Sequence, residues 1–87
     1  MSGYIPGFWM NETSGVLAPA VRAYLAGGPM SEADIAVMRL YLRHWIASPG
    51  FVGPEVVMLR RLVDGLTTRR ALATWLELAE RAGIDPL

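Results

Sequence analysis

Four stretches of the chain repeat apolar residues at helical spacing, and each is bounded by residues that stop a helix. The first is predicted over about 16–26, with Leu17, Val21, Tyr24 and Leu25 as its apolar positions. Ser14 can cap it, Pro19 is tolerable only in a first turn, and Gly27-Gly28-Pro29 ends it. The second, about 32–47, has the clearest start. Ser31 is a good N-cap, and Glu32 and Asp34 favour the positive end of the helix dipole. Ser48-Pro49-Gly50 stops it. The third, about 54–64, opens on Pro54 with Glu55 behind it and closes at Gly65. Its stripe reads Val56, Leu59, Leu62, Val63 and Leu66. The fourth, about 68–82, is capped by Thr67 or Thr68 and turns Leu72, Trp75, Leu76 and Ala79 inward. Glu77 and Arg81 face outward at i,i+4 spacing, and Gly83 then Asp85-Pro86 end it. The expected fold is all-α: a single domain, a compact bundle of four short helices.

Two features of this pattern point beyond an ordinary core. On a wheel of 100° per residue, the second helix carries Ile35, Met38, Leu42, Trp45 and Ile46 on one face. Val37, Leu40 and Tyr41 form a second, nearly opposite face, leaving Glu32, Arg39 and Arg43 as its polar stripe. Such a helix is either central in its own domain or shared with another chain. Residues 1–13 do not read as a helix. Ile5-Pro6-Gly7-Phe8 fits a turn, and Tyr4, Phe8, Trp9 and Met10 surround it. This reads as an ordered aromatic arm, since disordered tails lack such residues. Tyr4, Phe8, Trp9 and Tyr41 are therefore the candidate partner-binding residues, because Trp and Tyr dominate interface energetics.

Composition strengthens the case for a covered surface. The chain has 87 residues, 53% of them apolar, more than one small core easily hides. Eight cations balance eight carboxylates, and every cation is Arg. Zero net charge argues against a general binder of nucleic acid or membrane surfaces, and it removes repulsion between copies. Absent Cys excludes disulfides and thiolate chemistry. No segment resembles a signal peptide or a membrane span, so a cytoplasmic location is expected. An Arg-rich chain without Lys or Gln fits a high-GC bacterial gene, and its size suits an accessory protein of bacteria or their mobile elements.

Chemistry-bearing residues are few. Arg60, Arg61, Arg69 and Arg70 form a local cluster offset only by Asp64, a possible patch for phosphates or carboxylates. A helix-turn-helix aligned on Gly65 fails, with Arg61 where a small residue is needed and Thr74 where an apolar one is. His44 stands without a matching nucleophile and orienter. No calcium loop, phosphate loop or dinucleotide motif occurs, and Asn11-Glu12-Thr13 matches a glycosylation acceptor without a secretory signal. No catalytic residue, metal or cofactor is expected. The leading expectation is a non-catalytic protein–protein interaction or regulatory module acting as a homodimer. The alternative is a nucleic-acid-binding regulator that uses the Arg cluster.

Overall fold

The computed structural model describes the backbone from Ser14 to Leu87 and the side chains from Ala18 onward. Over these residues it is all-helical and measures 31 × 28 × 21 Å. Four helices follow in chain order: α1 (Ser14–Leu25), α2 (Glu32–Ile46), α3 (Pro54–Leu62) and α4 (Arg69–Arg81). A single 3₁₀ turn, Val63–Gly65, extends α3 toward α4. The expected aromatic arm, residues 1–13, lies outside the described residues.

Local chemistry accounts for the boundaries. The Asp34 amide donates to Ser31 Oγ at 3.1 Å, and the Ala71 amide donates to Thr68 Oγ1 at 3.0 Å. These are the side-chain caps expected of Ser31 and of the second of the two threonines. Pro54 opens α3, where its missing N–H leaves no bond unmade. Gly27 and Gly83 sit at φ values of 79° and 81°, the left-handed turn that closes α1 and α4. Two boundaries differ from expectation. α1 starts two residues early, so Pro19 lies beyond its first turn, where its ring nitrogen has no hydrogen to give the ladder. α3 narrows into the 3₁₀ turn before Gly65 rather than running to residue 64 as an α-helix.

The core sits where α2 meets the other three helices. Met38, Leu42, Ile46, Leu59, Leu72 and Trp75 are its largest fully buried side chains. Trp75 satisfies its indole by donating Nε1–H to the Leu59 carbonyl at 2.9 Å, which ties α4 to α3. Trp45 is buried too, its ring 4.5 Å from that of Phe51 in the loop that follows α2.

Two core expectations are corrected. Leu62 was expected inside with Leu59, yet it is 45% exposed. The buried stripe of α3 is Val56, Leu59 and Val63, and Leu62 projects roughly 90° from its centre at about 100° per residue. Leu76 is only partly buried for the same reason, lying off the Leu72, Trp75 and Ala79 stripe. The two-faced α2 proves to be central. Ile35, Met38, Leu42, Trp45 and Ile46 are buried, and so is Tyr41 from the second face.

Candidate interaction surface and the arginine cluster

Tyr41 is 3% exposed, and its hydroxyl donates to the Pro86 carbonyl at 3.0 Å. Burial raises its pKa above the ordinary 10.0 by disfavouring the phenolate. The chain after α4 folds back across α2, with Ile84 and Pro86 buried beside it. Tyr41 is thus core in this structure and not an exposed partner-binding residue. Its face of α2 is covered by the chain's own C-terminal segment. Tyr4, Phe8 and Trp9 lie outside the described residues.

The arginine cluster divides in two. Arg60 on α3 reaches back to the end of α2. Its Nε donates to the Ile46 carbonyl at 2.8 Å, and its Nη2 donates to Ser48 and Phe51 carbonyls at 3.0 and 3.3 Å. Arg69, the first residue of α4, donates Nη2–H to the Tyr24 carbonyl at 3.0 Å, with its guanidinium carbon 5.1 Å from the Tyr24 ring centroid. Both guanidinium groups meet the C-terminal end of a preceding helix. Carbonyls there lack intrahelical partners and the helix dipole is negative, so a planar cation with five donors suits the position. Arg39 works similarly, donating Nη1–H to the Leu66 carbonyl at 3.0 Å after the 3₁₀ turn. Arg69 Nε is buried without a partner among the described residues.

Arg61 and Arg70 have no side-chain hydrogen bond or ion pair among the described residues, and both are exposed. Asp64, which was to offset the cluster, instead faces Arg43 at 3.5 Å. Four cations in sequence therefore give two bound to backbone and two facing solvent. The helical wheel carries the signal that adjacency hides. Neighbours on a helix differ by 100°, so one arginine of each pair falls beside the buried stripe and its neighbour points away.

Arg61 and Arg70 lie beside exposed apolar side chains of α3 and of the groove next to it. Val57, Met58 and Leu62 on α3 are 50%, 40% and 45% exposed, and Arg61 falls between Val57 and Met58 on the wheel. Leu62 continues into a groove of about 460 Å³ between α3 and α4, lined by Leu66, Ala71, Thr74, Trp75 and Leu78. Arg70 is the one charged side chain on that lining. The groove lies on the α3 side of α4. On the opposite side, Ala73, Leu76 and Glu80 face Tyr24 and Leu25 of α1 across a second, more polar groove of about 300 Å³.

Among the described residues no three His, Cys, Asp or Glu side chains converge as a metal site would need, and no helix is long and apolar enough to cross a membrane. No family model, curated protein or solved structure matches the chain.

Proposed function

We propose that this protein is a non-catalytic protein–protein interaction module that acts as a homodimer through the outer face of α3 and the adjoining α3–α4 groove. The observation that carries the reading is that exposed Leu62 belongs both to the outer face of α3, where Val57 and Met58 flank Arg61, and to the lining of the groove. Scattered exposed leucines are ordinary, but apolar side chains grouped on one helix face beside a concavity mark a contact surface. A zero net charge puts no long-range repulsion between two copies.

Magnitudes say how much of the surface has to be used. Fully burying one such side chain contributes about 1.5–3 kcal/mol, so covering the exposed half of each contributes roughly 1 kcal/mol. Three residues from each of two copies then give on the order of 6 kcal/mol, against about 4–15 kcal/mol for lost freedom on association. The α3 face alone offsets only the low end of that cost, and a stable dimer draws on the groove as well. The arginines favour no second reading. Arg60 and Arg69 are held by backbone carbonyls, which leaves Arg61 and Arg70 as a thin footprint for a polyanion.

Light scattering tests the proposal. The parent protein is expected to be a dimer at micromolar concentration, and the double variant Met58→Asp, Leu62→Asp a folded monomer. A monomeric parent, or a variant that stays dimeric, would remove the basis for this surface.

A further inference from the structure

We propose that two copies pack their α3 helices antiparallel about a two-fold axis between Met58 and Arg61, so that the N-terminal end of each α3 closes the mouth of the other's α3–α4 groove. The inference rests on the homodimer reading above and supplies its register and the occupant of its groove. Three observations carry it.

The first is a seam that reads the same from both ends. At about 100° per residue, Pro54, Val57, Met58, Arg61 and Leu62 share the outer face of α3, and Gly65 returns to it at the end of the 3₁₀ turn. All of them are exposed. A two-fold axis makes residue i of one copy meet residue j of the other, and j meet i. Placed between Met58 and Arg61, it sets Val57 on Leu62, Met58 on the aliphatic stem of Arg61, and Pro54 on Gly65. The proline ring thus meets the one position of the seam without a side chain. A Cβ at Gly65 would touch nothing within 4 Å, so the space above it is open. Gly65 and Leu62 both line the groove, and Pro54 of the second copy therefore arrives at its mouth.

The second is charge. Glu55 lies within about 20° of Leu62 on the wheel, on the flank that borders the groove. In the antiparallel pair it comes level with the far end of the partner's α3, beside the groove that carries Arg70. Neither Glu55 nor Arg70 has a side-chain hydrogen bond or ion pair among the described residues. Each copy offers a carboxylate where the other offers a guanidinium, and the symmetry repeats the match. A parallel pair would instead set Glu55 against Glu55 and Arg61 against Arg61, and like charges select against such an arrangement. The third is area. The exposed apolar residues of α3 offset only the low end of the cost of association. Closing the mouth of a groove of about 460 Å³ removes from water apolar lining that the α3 face does not itself include.

Sedimentation equilibrium on the full chain tests this, with circular dichroism on each variant as the check on folding. Glu55→Arg and Arg70→Glu are each expected to raise the dimer dissociation constant several-fold. Placed together in one chain they are expected to return it to near the parent value, because the pair re-forms with its signs exchanged. Gly65→Phe is expected to weaken the dimer more than either. Gly65 lies outside the left-handed region and has open space above it, so the added ring takes the seat of the partner's Pro54 without disturbing its own chain. Losses that add in the double variant, or a Gly65→Phe dimer as tight as the parent's, would overturn this register and leave the homodimer reading standing. A parent that sediments as a monomer overturns both.

Discussion

Replacing Arg60 and Arg61 separately with Ala separates a structural arginine from a surface one. The two residues are adjacent on α3, carry the same charge and have the same helix propensity cost, so the comparison cancels local effects. Arg60 loses a part-buried bond to Ile46 and two more exposed bonds to Ser48 and Phe51. A charge-assisted bond contributes about 1.5–3 kcal/mol when shielded and a fraction of that in solvent. Compensation of the α2 dipole adds about 0.3–1 kcal/mol. Discounted for exposure, the loss on Arg60→Ala is about 1.5–2.5 kcal/mol. In a domain of this size each kcal/mol moves Tm by roughly 4–8 °C, so a fall of about 6–20 °C is expected. Arg61→Ala removes no bond of this kind and should stay within about 0.5 kcal/mol of the parent. Differential scanning calorimetry at low and high salt reads both. High salt should narrow the gap without closing it, since the Ile46 bond is partly shielded. If the two variants melted within a degree or two of each other, the carbonyl contacts would contribute nothing, and the cluster would be one uniform solvated patch.

Two further outcomes follow from the core. Leu42→Ala, at a fully buried position, should cost about 2–5 kcal/mol in urea denaturation, and an unchanged midpoint would mean that α2 is not central. The raised pKa of Tyr41 makes the folded state hold its proton more tightly than the unfolded state. The resulting stability is therefore complete below the ordinary value of 10.0 and is lost as pH climbs through the higher folded value. Stability should fall with pH above about 10 in the parent. Tyr41→Phe should lessen that fall while losing roughly 0.5–1.5 kcal/mol at neutral pH, because the Pro86 carbonyl loses its donor. An identical slope in both proteins would show that Tyr41 is not the titrating group.

The helices were legible because each carries its own punctuation. Ser31, Pro54, Thr68, Gly27 and Gly83 act through local backbone chemistry, and the structure uses them at the expected positions. Periodicity also found most of the core. It overreached at Leu62 and Leu76, where an apolar residue lies within reach of the stripe but off its centre. What could not be read locally was tertiary. Nothing near Tyr41 in sequence announces that Pro86 will fold over it, 45 residues away. Nor does a run of two arginines say which one meets a helix end. The α3 contact surface was hidden for a related reason. Val57 and Met58 fall outside the apolar stripe that periodicity picks out on α3, and Leu62 reads as part of that stripe. Only the orientation of α3 on α2 turns the three outward together with Arg61.

The most direct test of where this protein makes its contacts is a dilution series of amide correlation spectra on the full, isotope-labelled chain. Shifts that grow with concentration through the micromolar range should cluster on Val57, Met58, Arg61 and Leu62, and continue through Leu66, Ala71, Thr74 and Leu78 along the groove. Amides of the buried α2 residues Met38, Tyr41 and Leu42 should stay unmoved. Spectra that do not change on dilution, or changes confined to α1 and the Tyr24 side of α4, would contradict the assignment of this face.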